Sequence, residues 1–140
     1  MCGYQNGGFE EIEHTADKAL HIHGRNLEHL LLSAAKGMNN LMITDVSKLP
    51  TRIKKNVEVE ALDAESLLVE WLSELAYWAE TEMLIFNKFD LHTVTETHVR
   101  ATLWGGHVRK LEKHIKAVTY HNLKILETDT GLEATVVFDV

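Results

Sequence analysis

Two stretches of the chain repeat apolar residues at helical spacing. The first occupies residues 27–42, with Leu27, Leu30, Leu31, Ala34, Ala35, Met38, Leu41 and Met42 on one face. The second follows Asp63, with Leu67, Leu68, Trp71, Leu72, Leu75, Ala76 and Ala79. Such spacing predicts a helix that buries one side. Asn26 and Asp63 can accept hydrogen bonds from the free N–H groups of a first turn, so we predict two amphipathic helices that begin after these residues.

The remaining apolar residues mostly alternate with polar ones, which is typical of strands. Strands are predicted at 9–13, 19–23, 53–62, 84–86, 89–91, 99–103, 118–126 and 132–138. Residues 14–17 are predicted to form a turn, Gly105-Gly106 a turn or break, and residues 128–131 the turn of a hairpin. The pattern predicts a single α+β domain over residues 1–140, with two amphipathic helices packed on a mostly antiparallel sheet. The polar, Gly-rich residues 1–8 are expected to be a flexible tail.

Composition narrows the classes of function. The chain has 140 residues and a formal net charge of −7, and an acidic protein is a poor match for direct nucleic-acid binding. The single cysteine, Cys2, allows no intramolecular disulfide and no thiolate zinc cluster. Neither a secretory signal nor a stretch long enough for a membrane span is apparent. We therefore expect a cytoplasmic protein without a membrane partner.

Familiar catalytic and nucleotide-binding motifs are missing from the sequence. It contains no phosphate-binding loop, no dinucleotide-binding glycine motif and no nucleophile elbow. Nine histidines are present, but His92, His98 and His107 lack the spacing of zinc ligands. His21 and His23 alternate with apolar residues and are expected on a solvated strand face. These features argue against a self-sufficient enzyme and against a zinc site.

The carboxylates near the two ends of the chain are more informative. Asp17 lies in the predicted turn, Asp139 follows Phe138 on the last strand, and Val140 is expected to carry a free backbone carboxylate. If Phe138 faces the core, Asp139 faces the other way. Three carboxylates brought together would need a cation or bound protons to offset their repulsion. Oxygen ligands favour Ca²⁺, Mg²⁺ or Mn²⁺ over zinc. On the residues alone, a frayed, solvated C-terminus is the favoured interpretation.

Four segments resemble the motifs of the archease family, and they occur in the family's order. These segments are His14-Thr15-Ala16-Asp17, Glu70-Trp71-Leu72-Ser73-Glu74-Leu75, Lys116-Ala117-Val118-Thr119-Tyr120-His121 and Val136-Val137-Phe138-Asp139-Val140. The resemblance extends from about Phe9 to Val140. It implies an α+β fold and a metal site formed by Asp17, Asp139 and Val140, with Ca²⁺ the first expectation and Mg²⁺ or Mn²⁺ as alternatives.

The resemblance also implies a role and a partner. Archeases are accessory proteins that promote guanylylation and multiple turnover of the RtcB-type RNA ligase of tRNA splicing. On this hypothesis the chain is a ligase activator and not an enzyme, and it meets tRNA only indirectly through the ligase. Lys116 and His14 lie in matching motifs. Lys116 is expected to contact the partner, and His14 either does the same or forms a hydrogen bond with a neighbouring backbone group. Tyr120, in the same motif as Lys116, is expected in the core.

The chain departs from the family pattern directly after Asp17. Lys18 and Ala19 stand where the family usually has a small apolar residue and glycine, so a cation is expected near the metal site and a stiffer turn beside it.

Two other functions are alternatives to a ligase activator: an autonomous metal-dependent phosphohydrolase, and a chaperone-like or RNA-binding adaptor. The adaptor draws support from the basic stretch at residues 109–114.

Overall fold

The computed structural model describes residues 7–13 and 17–140. The strands found there are β1 (Gly8–Glu13), β2 (Asp17–Gly24), β3 (Ile53–Glu60), β4 (Leu84–Val94), β5 (His98–His107), β6 (Ala117–Thr119), β7 (Leu126–Thr128) and β8 (Gly131–Asp139). The helices are α1 (Leu27–Met42) and α2 (Ala64–Glu82), and a short 3-10 helix spans Val46–Lys48. The prediction of an α+β protein with two helices is confirmed, although the strands form two sheets and not one.

Both sheets are antiparallel. The five-stranded sheet has the order β1-β2-β8-β6, with β7 also paired to β8. The three-stranded sheet has the order β3-β5-β4. The strand β8, which is the last along the chain, therefore lies inside its sheet and pairs with β2 on one side and with β6 and β7 on the other.

The helices join the two sheets through one continuous hydrophobic core. Helix α1 contacts β1, β2 and β8 of the five-stranded sheet and β4 of the other, while α2 contacts β3, β4 and β5 as well as β6. Trp71 is fully buried in α2, and its indole N–H donates to the Leu31 carbonyl of α1 at 2.9 Å. The Asn39 side chain of α1 donates to the Phe86 carbonyl of β4 at 2.6 Å. These buried hydrogen bonds fix the helices to each other and to the sheet.

Both predicted helix starts are confirmed. The Asn26 side chain accepts from the His29 N–H at 2.9 Å, and the Asp63 side chain accepts from the Ser66 N–H at 2.8 Å. Each bond satisfies a donor that has no partner inside its helix. No helix in the described part of the chain is long and apolar enough to cross a membrane.

Several predicted strand boundaries were wrong. The segments at 84–86 and 89–91 belong to one strand, β4, whose register against β5 shifts twice. Gly105 and Gly106 lie within β5 and not in a turn, because β5 approaches other backbone there: a Cβ on Gly105 would fall 1.9 Å from the Ile85 carbonyl oxygen. The stretch 118–126 is interrupted, so that β6 and β7 are separate strands.

The predicted flexible tail at residues 1–8 is only partly covered by the structure. Residues 1–6 lie outside the described residues, as do residues 14–16 of the predicted turn. Gly8 is the first residue of β1 and pairs with His23, so the tail prediction was wrong at this position. At the other end of the chain, the predicted hairpin is confirmed, since Thr128 pairs with Gly131 across a two-residue turn.

Candidate metal-binding site

The pairing of β2 with β8 brings the two predicted aspartates together. Asp17 is the first residue of β2, and not part of a turn as predicted, and its register partner is Asp139 at the end of β8. Directly opposed residues in an antiparallel pair have Cα atoms about 4.5–5.5 Å apart and side chains on the same face. The structure therefore places these two residues side by side on one face of the sheet, although they lie 122 positions apart in the sequence.

The position of Asp139 is fixed by strand pairing on both sides of β8 and by burial of the preceding residue. Beyond Asp17, its backbone pairs with Ala117 of β6, and its carbonyl accepts from the Lys116 N–H at 2.7 Å. The preceding residue, Phe138, is fully buried. Because side chains alternate along a strand, burial of Phe138 directs Asp139 to the opposite face, where it is exposed. The C-terminal end of β8 is therefore an ordered strand and not a frayed tail.

Val140 continues this arrangement by one residue. Its side chain is half-buried and packs against the hydrophobic core. This packing holds the backbone that follows Asp139 close to the sheet. The donor set that results, two aspartates and the expected Val140 carboxylate, contains oxygen alone and therefore fits a hard divalent cation.

Lys18 follows Asp17 along β2, but its side chain is directed to the opposite face of the sheet from the two aspartates. It pairs in register with Phe138 and so lies on the core-facing side of the sheet. There its ammonium group forms an ion pair with Glu11 at 3.0 Å. Ala19 is also not in a turn, since it is fully buried within β2. The departure from the family pattern thus adds no lysine to the face that carries Asp17 and Asp139.

Of the two residues expected to contact a partner, the structure describes one. Lys116 is exposed and immediately precedes β6. It lies at one side of a cleft of about 250 Å³ between α2 and β6, whose other lining residues are Ser73, Ala76, Tyr77, Glu80, Thr81, Ile115, Ala117 and Val118. His14 lies outside the described residues. Tyr120 was expected in the core, but it is 53% exposed just beyond the short strand β6.

Two histidines of β2 were expected on a solvated face, but one of them is buried. His21 and His23 do share a face, and the His21 ring lies 3.1 Å from the Thr135 hydroxyl. His23, however, is buried and not solvated. Burial lowers the pKa of His23 below its ordinary value, and the neighbouring His21 lowers it further, while Glu10 and Glu133 act in the opposite direction. The neutral form of His23 is therefore favoured in the folded protein.

The sequence and the two-sheet α+β architecture both match one family of small proteins. The model of the Archease protein family matches residues 9–140. The chain is 35% identical to a protein archease from Methanothermobacter thermautotrophicus, over 95% of this chain and 99% of that protein. A protein archease from Methanosarcina mazei is also 35% identical, over 97% and 98%.

Solved structures agree with this result. The solution structure of Methanobacterium thermoautotrophicum protein 1598 superposes with a TM-score of 0.79 at 32% identity, covering 95% of this chain and 99% of that one. A crystal structure from Thermotoga maritima, described as an archease and possible chaperone, gives a TM-score of 0.67 at 25% identity and covers 94% and 96%. The chain belongs to the archease family. These relatives are named as archease proteins, one of them as a possible chaperone, and not as catalysts.

Proposed function

We propose that this protein activates an RtcB-type RNA ligase by promoting its guanylylation, and that it acts through a divalent cation held by Asp17, Asp139 and the Val140 carboxylate. On this proposal the covalent chemistry belongs to the ligase, and the protein is an activator and not an enzyme. Contact with tRNA is indirect, in keeping with the net charge of −7.

The observation that supports the proposal is the register of β2 against β8. Like charges placed directly opposite each other across two strands are destabilising. Asp17 and Asp139 nevertheless hold this relation, and Val140 follows immediately. A cation bound between them would offset the repulsion, and Ca²⁺, Mg²⁺ or Mn²⁺ would suit the oxygen ligands.

The role of the protein's own residues is positional. Pairing with β2 and β6 holds the Asp139 carboxylate at the C-terminal end of β8, and the packing of Val140 holds the backbone beside it. This end of the sheet could enter a partner's active site without unfolding. A divalent ion there would neutralise phosphate charge and orient the groups that react in nucleotidyl transfer.

The test is a multiple-turnover RNA ligation assay with the cognate ligase. We expect Asp139→Asn to lower the stimulated rate by about tenfold or more, because it removes one charged ligand from the ion. The matched control is Asp129→Asn, which makes the same chemical change in the exposed turn before the opposite end of β8. Unchanged stimulation by the Asp139 variant would contradict the proposal.

We further propose that Lys116 contacts the ligase or a phosphate bound to it. Its ammonium group is exposed beside the cleft, while its backbone is tied to Asp139. Lys116→Ala should therefore weaken stimulation while circular dichroism and the melting temperature stay unchanged. Lys110→Ala, an exposed lysine of the same loop, serves as the control. Full stimulation by the Lys116 variant in the ligation assay would remove this assignment.

The Thermotoga maritima relative is described as a possible chaperone, and the same assay separates a chaperone role from this proposal. A chaperone would raise the amount of active ligase and would not need an intact carboxylate pair. Stimulation that survives Asp139→Asn and follows the recovery of soluble ligase would favour the chaperone.

A further inference from the structure

A second group of metal-ligand side chains lies on the outer face of the three-stranded sheet. Val57 and Val59 of β3 and Val99 of β5 are buried. Alternation along the strands therefore directs Glu58, Glu60 and His98 to the opposite face. Glu60 and His98 are direct register partners, and Glu58 lies two residues along the same strand as Glu60.

The three side chains converge. The Nε2 atom of His98 lies 2.6 Å from Oε2 of Glu58. One ligand atom from each of the three residues, counting Glu60, lies within 4.8 Å of the others. Among residues 7–13 and 17–140 this is the one set of three or more His, Cys, Asp or Glu side chains that meets this condition.

The direction taken by Glu58 is informative. Its register partner on β5 is Arg100, yet its carboxylate pairs diagonally with His98 and forms no ion pair with Arg100 in the described part of the chain. The carboxylate of Glu60 has no hydrogen bond or ion pair with any described residue. Two carboxylates and one imidazole thus share a small region that the nearby guanidinium does not neutralise through a direct contact.

The structure assigns to Glu58, Glu60 and His98 a second cation site, separate from the Asp17–Asp139 pair, for a first-row transition ion such as Zn²⁺ or Co²⁺. The imidazole ligand decides the class of ion, since imidazole suits zinc and its neighbours whereas Ca²⁺ and Mg²⁺ take oxygen ligands. The inference stands on its own residues and does not depend on the proposed function.

The ion would replace the proton that joins His98 to Glu58. With both ligands about 2.1 Å from the ion, their atoms would stand about 3.0–3.4 Å apart, so the pair must open by less than about 1 Å. Glu58 and His98 are exposed or half-buried, so their side chains can make this movement. Because β3 is an edge strand paired to β5 alone, the ion would also link the edge strand to the centre of its sheet.

The experiment is titration of the full chain with Co²⁺, followed by visible absorption, and with Zn²⁺, followed by calorimetry. We expect one ion per chain at this site, and an increase in melting temperature when the ion is in excess, because ligands that bind the folded state stabilise it. His98→Ala and Glu60→Gln should each weaken binding by at least about tenfold, since even loss of an outer-shell partner costs that much.

Three control variants show whether the ion binds at these residues or elsewhere on the protein. His121→Ala removes an exposed histidine elsewhere, and Glu112→Gln neutralises an exposed glutamate elsewhere. Asp139→Asn disables the site of the proposed function. All three should bind Co²⁺ like the unmodified chain. Binding that survives both His98→Ala and Glu60→Gln would overturn the assignment, and so would binding that is lost in the Asp139 variant instead.

Discussion

His23 is buried although it lies on the outer face of the five-stranded sheet. The residue alternates with apolar neighbours along β2, which predicts exposure. Its register partner on β1 is Gly8, where a Cβ would lie 2.8 Å from the His23 ring. The ring therefore occupies the space that a side chain on Gly8 would need. Burial follows from the pairing of β1 with β2, and periodicity within β2 alone cannot reveal it.

The burial of His23 predicts a pH dependence of stability. Its pKa is lowered in the folded protein, chiefly by desolvation, so the unfolded chain binds more protons near pH 6. Stability from this residue is then fully present above its ordinary pKa of about 6.5 and is lost as the pH falls through that value toward the folded pKa. We expect His23→Gln to flatten the fall in unfolding free energy between about pH 7.5 and pH 5.

Urea unfolding at a series of pH values measures this effect. His121→Gln is the matched control, because His121 is exposed in the folded protein. Its profile should follow that of the unmodified chain. An equal slope for the His23 and His121 variants would show that His23 does not titrate differently in the folded and unfolded states.

The sequence predicted the two candidate metal sites to different extents. Asp17 and Asp139 were recognised because each lies in a family motif, but their opposition follows from pairing of β2 with β8. His98 was judged to lack ligand spacing, which is true along the chain. Its carboxylate neighbours lie on β3, at sequence separations that no local motif encodes. Contacts between strands distant in sequence depend on sheet order, which local patterns along the chain do not reveal.

Local signals along the chain predicted the helices better than the strands. A helix is determined by its own periodicity and cap, so α1 and α2 were placed correctly. A strand boundary depends on the partner strand. The two register shifts against β5 interrupt the alternation within β4, and sequence reading divided this strand into two. Gly105 was predicted to mark a break, but it lies within β5. A glycine is needed there because the backbone of Ile85, on the neighbouring strand β4, approaches closely.

The N-terminal cap of α2 is held by one side-chain hydrogen bond and can be tested directly. The Asp63 carboxylate accepts from the Ser66 N–H, and this backbone hydrogen bond lowers the pKa of Asp63 below its ordinary value. Asp63→Ala removes the acceptor and should lower the unfolding free energy, whereas Asp63→Asn should cost much less because it keeps an acceptor oxygen. Urea unfolding at neutral pH compares the two variants, and equal losses would contradict a capping role.

The order of the strands in the five-stranded sheet gives the C-terminal segment its position. Strand β8 pairs with β2, β6 and β7, so the final strand completes the five-stranded sheet from within. The same strand contributes Val136 and Phe138 to the core that the helices share. The proposed metal site therefore depends on the complete fold, because Asp17 and Asp139 meet only when β8 has taken its place.

This arrangement predicts a specific sensitivity at the end of the chain. Adding Gly-Ser after Val140 converts the expected carboxylate into a peptide bond and moves the negative charge two residues away. Ligase stimulation should then fall by about tenfold or more, as for loss of a charged ligand. The melting temperature should stay close to that of the unextended chain, because Val140 keeps its packing. The ligation assay and a thermal melt measure the two effects separately.

The matched control adds Gly-Ser before Met1, which changes length and composition equally but leaves Val140 unaltered. Stimulation should persist in this variant. If the C-terminal extension stimulated as well as the control, the third ligand would not be the Val140 carboxylate. The site would then rest on Asp17 and Asp139 alone, and two carboxylates would have to hold the ion with water or ligase groups completing its coordination.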